Sequence, residues 1–152
     1  MKAVTLLQLA APFVIAILVG AGVALETPTN ALLAKSSGSF LWASLFSFLV
    51  GAVVLIAALA VRRPALALGW SGAPWYAWVG GVYGALLVVG SAWATPKLGA
   101  GTTLVVIVAS QVVLGVVLDH FSLLGLAHHP VSGLRLAGVM IVALGAVLIA
   151  RG

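Results

Sequence analysis

The chain has 152 residues, of which 64% are hydrophobic and only 6% are charged. A soluble domain is about 45–50% apolar and about 25% charged, and a compact domain of this size still leaves about 30% of its unfolded surface facing solvent. So little charge cannot coat that remainder for water, so the solvent outside must be lipid, which excludes a soluble enzyme, a nucleic-acid-binding domain and a disordered tail.

The net charge of +5 comes from seven Lys and Arg residues scattered singly, apart from Arg62-Arg63. They sit mostly between apolar runs and read as topology markers rather than as a nucleic-acid surface. There is no Cys, which excludes disulfides, thiolate nucleophiles and Cys-based metal sites. The two acids, Glu26 and Asp119, each need a reason to be there.

A bilayer core about 30 Å thick takes roughly 20 apolar helical residues to cross. Five runs qualify or nearly do: 5–34, 40–61, 75–94, 101–118 and 133–150. They predict an all-α membrane protein with five transmembrane helices in one domain, 1–152. Runs such as Val53 to Ala60 show no alternation, so a barrel is excluded. Met1-Lys2 before an apolar run resembles a signal peptide, but the run is too long and is read as a retained first helix.

The first run is interrupted by Glu26, Pro28 and Asn30. It is too long for one straight crossing, so the helix is expected to begin near Pro12 or to break near Pro28. The second run ends at Arg62-Arg63-Pro64. The segment 64–74 follows, and Trp70, Trp75, Tyr76 and Trp78 around it read as an interfacial aromatic belt. The third run is expected to stop at Thr95-Pro96-Lys97, with Gly99 before the next start at Thr102-Thr103. The last two runs have about 18 residues, or about 27 Å, and just span. Between them, 119–132 carries all three His residues.

Five crossings put the two ends of the chain on opposite sides. One side then holds Lys2, Arg62, Arg63 and Arg135, and the other Lys35, Lys97 and Arg151. Orientation follows the Lys/Arg excess on the cytoplasmic side, and a near-even split gives almost no instruction. The chain is therefore expected to insert both ways and to pair with its inverted self. Two copies would form a ten-helix antiparallel homodimer with the inverted-repeat logic of secondary transporters. A single orientation, with Arg62-Arg63 cytoplasmic, is the simpler alternative.

The segment from Gly20 through Glu26, Asn30 and Leu33 to Phe48-Leu49-Val50-Gly51 resembles the YdcZ family of bacterial inner-membrane proteins (domain of unknown function 606). So do Trp78-Val79-Gly80-Gly81-Val82-Tyr83-Gly84, Pro96-Lys97-Leu98-Gly99-Ala100, Ser110-Gln111 and Asp119-His120-Phe121. The resemblance covers nearly the whole chain in order. It implies a bacterial inner (plasma) membrane protein of the drug/metabolite transporter superfamily, in which short five-helix members occur, some as dual-topology homodimers. At the position of Glu26 the family more often has Gln. An acid there either departs from a shared mechanism or gives this member its own proton chemistry. A looser resemblance, in the spacing from Glu26 to Lys35-Ser36, is to the small multidrug resistance proteins, which use a first-helix Glu.

Glu26 and Asn30 are four apart and share a helix face, and Pro28 between them frees a carbonyl about four residues back. An ionised acid at mid-membrane costs about 2.5–3.5 kcal/mol on insertion scales, so Glu26 faces the bundle interior or a wet cavity, or else sits at the headgroups. In a cavity it can exchange a proton for a cationic substrate; at the headgroups it merely ends the helix. Gln111, Gly115 and Asp119 form a slowly twisting polar stripe. Gln111 either joins helices by hydrogen bonding, worth about 0.6–2 kcal/mol, or lines a pore. Asp119 is expected to pair with Arg135.

Thr103 with Lys97 could form a small anion site at a helix start, although an N-cap and a snorkelling lysine are preferred. Trp93 and Trp42 either line a cavity for an aromatic or cationic ligand or anchor in the belt. Gly80, Gly81 and Gly84 form small-residue ridges that let helices approach closely, beside which helix three would pack or slide. Metal binding by His120, His128 and His129 with Asp119 is rejected on spacing, and no cofactor is expected.

The function expected from these residues is secondary transport of a small metabolite or organic cation by alternating access, coupled to protons through Glu26. Glu26, Asn30 and Gln111 would line the shared cavity. The partners are a second copy, the lipid bilayer and the substrate, with no nucleic acid and no reaction chemistry. A passive channel and a non-transporting membrane subunit are the alternatives.

Overall fold

The computed structural model describes the backbone of residues 2–64 and 72–152, and the side chains of residues 10–64 and 72–152. Trp70 of the expected belt and the side chain of Lys2 lie outside the described residues. Five helices follow one another: α1 (Lys2–Ser37), α2 (Phe40–Arg62), α3 (Gly80–Leu98), α4 (Ala100–His120) and α5 (Gly133–Arg151). A 3₁₀ segment, Trp75–Val79, leads into α3, and a short one, Leu123–Gly125, lies between α4 and α5. Five helices are long and apolar enough to cross a membrane.

The chain divides into two compact units, residues 1–93 and 94–152. In the first, α1 packs against α2; in the second, α4 packs against α5.

α1 neither starts at Pro12 nor breaks at Pro28; it runs through both. Pro28 has no N–H to offer the carbonyl of Ala24. The hydroxyl of Thr27 donates to the Val23 carbonyl at 3.0 Å, and that of Thr29 to the Leu25 carbonyl at 2.7 Å. The backbone on either side of the missing bond is thus held by side chains, which is how membrane helices accommodate proline. The part from Ala10 to Ser37 has 28 residues, about 42 Å, which exceeds the hydrocarbon core and requires tilt or protrusion.

The helix ends follow local chemistry. Gly38, with φ +71°, turns the chain out of α1, and Ser39 caps α2 by accepting the Trp42 N–H at 3.4 Å. α2 ends on Arg63 in the left-handed region, its N–H bonded to the Leu59 carbonyl at 2.8 Å. Ser132 caps α5 by accepting the Arg135 N–H at 3.2 Å. Pro96 does not stop the third helix: it lies inside α3, which continues to Leu98. The stop is Gly99, at φ +83° and ψ 155°, a conformation only glycine adopts without strain.

The buried residues are small or polar. They include Ala31, Ala34, Ala43, Ala92, Thr27, Asn30, Ser44, Ser91 and Thr103. No large side chain is fully buried among the described residues, while Phe13, Ile17, Val53, Leu55 and Ile141 stand exposed. That is the reverse of a water-soluble core. It is what lipid demands, because burying an apolar side chain against another helix gains nothing over burying it in acyl chains, so close approach of small residues holds the helices together.

Candidate functional site

Thr27, Asn30, Ala31 and Ala34 are buried and recur at helical spacing, so they form one face of α1. Glu26 is exposed at the edge of that face. The Asn30 amide donates to Glu26 Oε1 at 3.3 Å. The shared face expected from their spacing therefore holds, and the two residues touch.

Glu26 opens onto a groove of about 380 Å³ whose other lining residues are Ser47, Phe48, Gly51, Ala52 and Leu55 of α2. Ser47 lies about seven residues from the start of α2 and Leu55 about seven from its end, so the groove spans the stretch about 10 Å or more from either end. The carboxyl group is thus level with the middle of a spanning helix rather than with its ends. Phe48 closes one side of the groove and also meets α3, where a Cβ at Gly84 would lie 3.4 Å from its Cζ. Of the three small residues expected to bring helices together, Gly84 lies against the Phe48 ring of α2. A Cβ at Gly80 or Gly81 would meet nothing within 4 Å.

Ser47, Gly51, Ala52 and Leu55 were not singled out from the sequence, although a signal was present. Ser44, Ser47 and Gly51 recur at helical spacing in a helix whose other residues are mostly large and apolar, which marks the face turned toward a neighbour.

Trp93 lines a second groove of about 480 Å³ with Gly38, Ser39, Phe40, Leu41, Val89 and Gly90. Trp42 is exposed and stacks on Phe46, ring centroids 6.0 Å apart. Trp75 and Tyr76 make an edge-to-face pair at 6.0 Å, and with Trp78 they are exposed at the start of the third span.

In the second unit, Gln111 is exposed near the middle of α4. Asp119 accepts from Arg135 Nη2 at 2.9 Å, and Arg135 Nη1 donates to the His129 carbonyl at 2.9 Å. The same connection is held by the Val131 N–H on His120 Nδ1 at 3.3 Å and by Ser122 Oγ against His128 Nδ1 at 3.2 Å. These residues fasten a loop. No group of three or more His, Asp or Glu side chains that could hold a metal occurs among the described residues. Thr103 is buried and donates its hydroxyl to the Gly99 carbonyl at 2.8 Å. That hydroxyl serves the backbone, and the N-cap of α4 is Gly99. Lys97 is in the last turn of α3.

Five long apolar helices, a core of small residues and a carboxyl group midway along a span describe a polytopic membrane protein. The family described as "Putative inner membrane exporter, YdcZ" matches residues 11–148. The chain is 30% identical over 141 residues to the inner membrane protein YdcZ of Escherichia coli (strain K12), covering 90% of this chain and 94% of that one. The chain belongs to the YdcZ family and is an inner-membrane protein. No solved structure matches it.

Proposed function

We propose that the protein is a secondary transporter of a small metabolite or organic cation that works by alternating access as an antiparallel homodimer, with Glu26 exchanging a proton for the substrate. The observation that carries this reading is Glu26 itself, exposed midway along a span and, among the described residues, bonded to the Asn30 amide. A carboxyl group left against acyl chains at that depth is costly in either protonation state, and more so when ionised. A further wall is needed to complete the site. A second, inverted copy supplies one, because the basic residues flanking the spans divide four to three between the two sides and permit both orientations. Glu26 and Asn30 of the two copies then meet near the two-fold axis.

In proteoliposomes with an imposed pH gradient the natural chain shows saturable, proton-coupled uptake, and Glu26→Gln abolishes it. Fast, non-saturating flux that survives Glu26→Gln would identify a channel, and no flux in either would identify a non-transporting subunit. The channel reading needs Asp119 to line a wet path, and the hold of Arg135 on that carboxylate counts against it.

A further inference from the structure

The groove at Glu26 has a definite chemistry and a definite width. Among the described residues, its lining holds one charged group, the Glu26 carboxyl, one hydroxyl, on Ser47, and one ring, on Phe48, with Gly51, Ala52 and Leu55. The ion pair formed by the described carboxylates is that of Asp119 with Arg135, in the other unit. A volume of about 380 Å³ is at the small end for ligand sites.

Two glycines set how wide the groove is. Gly51 lines the groove, and a Cβ there would meet nothing within 4 Å, so an added side chain has open space beside the groove wall. Gly84 acts from behind. A Cβ there would touch Phe48 Cζ at 3.4 Å and Cε1 at 3.7 Å, an ordinary contact. A longer side chain would need the room the ring now occupies and would displace it.

We propose, building on the transport reading above, that this groove takes a compact monocation with an apolar body, and that Gly51 and the seating of Phe48 on Gly84 set the size limit of the ligand. The carboxylate neutralises the positive charge, the face of Phe48 attracts it through the ring quadrupole, and Ala52 and Leu55 cover the apolar part. Both contributions grow where water is scarce. Gly51 is a specificity-determining residue that borders the ligand. Gly84 is a positioning residue that acts through Phe48.

The test is equilibrium binding of radiolabelled benzyltrimethylammonium and tetramethylammonium to the full chain in nanodiscs, without a gradient. Neopentylbenzene, the uncharged isostere of the larger cation, serves as competitor. The natural chain is expected to bind benzyltrimethylammonium saturably, with Glu26→Gln weakening it at least tenfold and the isostere failing to displace it. The series Gly51→Ala, Gly51→Val and Gly51→Leu is expected to weaken the larger cation progressively, by tenfold or more at leucine. Tetramethylammonium should change less than threefold. Gly84→Val and Gly84→Leu should shift the ratio of the two affinities in the same direction.

The ratio separates size selection from general damage, because a misfolded variant loses both cations together. Displacement by the isostere, or equal loss of both cations along the graded series, overturns the proposal. Size-selective binding without proton-coupled uptake would sink the transport reading and leave the groove assignment standing. Uptake that depends on Glu26 but ignores Gly51 and Gly84 would do the reverse.

Discussion

Asn30 holds Glu26 from one turn further along α1, its amide donating to the carboxyl oxygen at 3.3 Å while the rest of Asn30 is buried. Asn30 is thereby fixed by packing and Glu26 is fixed by Asn30. The acid presents itself to the groove on a helix whose Pro28 is straddled by two threonine hydroxyls bonded to backbone carbonyls.

Asn30→Ala is therefore expected to weaken ligand binding without unfolding the chain. A hydrogen bond to a charged group is worth about 1.5–3 kcal/mol, so the dissociation constant should rise roughly tenfold or more. Equilibrium binding in nanodiscs reads this directly, and circular dichroism confirms that the helices persist. An unchanged affinity would show that the carboxyl group needs no orienting partner.

The turn between α3 and α4 gives a stability prediction. Gly99 donates its N–H to the Thr95 carbonyl at 2.9 Å and accepts both the N–H and the hydroxyl of Thr103 on its own carbonyl, at 3.1 and 2.8 Å. These bonds tie it in place at φ +83°, so the backbone cannot relax around a side chain. Gly99→Ala should cost about 1–3 kcal/mol, read as a lowered thermal midpoint in detergent. Pro96→Ala should leave that midpoint unchanged or raise it, because α3 already continues past the proline and would regain a backbone bond.

At the other end of α4, Asp119 and Arg135 join two helices at 2.9 Å, with the two side chains 29% and 37% exposed. A double-mutant cycle on Asp119→Ala and Arg135→Ala should give a coupling of about 0.2–1 kcal/mol, the range of partly solvated pairs. Arg135→Ala alone should cost more than Asp119→Ala, because Arg135 also binds the His129 carbonyl. Thermal unfolding of the three variants measures both. Cation binding at Glu26 should be unaffected, which separates a structural role for Asp119 from a part in transport.

The spans were legible because lipid punishes exposed polarity over some 20 consecutive residues, a signal no local detail can mask. The boundaries expected at 40–61 and 133–150 fall within a residue of α2 and α5. Those at Pro12, Pro28 and Pro96 did not hold. Proline is a strong breaker in water, but membrane helices tolerate it because Ser/Thr side chains, neighbouring helices and local backbone adjustments re-satisfy the backbone around it. The Glu26–Asn30 contact followed from helical spacing alone. The opposite wall of the groove was legible only as a packing face, through the helical spacing of Ser44, Ser47 and Gly51; it becomes a site only when α2 lies beside α1. The fastening of the α4–α5 connection by His120 and His128 was out of reach, since it depends on a loop whose path no periodicity describes.

The helix ends place the basic residues where orientation is decided, with Lys35, Arg62, Lys97 and Arg151 in the last turns of α1, α2, α3 and α5. With five crossings in turn, these residues together with Lys2, Arg63 and Arg135 would divide three to four, too close to even for the positive-inside bias to choose. Reporters fused to the C-terminus should therefore be active on both membrane faces. Arg62→Ser with Arg63→Ser leaves two against three, and Lys35→Ser with Arg151→Ser leaves four against one. The two variants should be driven to opposite orientations, the second more completely. If the working unit is an antiparallel pair, the second variant alone should lose uptake, and co-expression with the first should restore it. Full uptake by the strongly biased variant on its own would mean that copies of one orientation suffice, and the wall facing Glu26 would then have to come from elsewhere in the same chain.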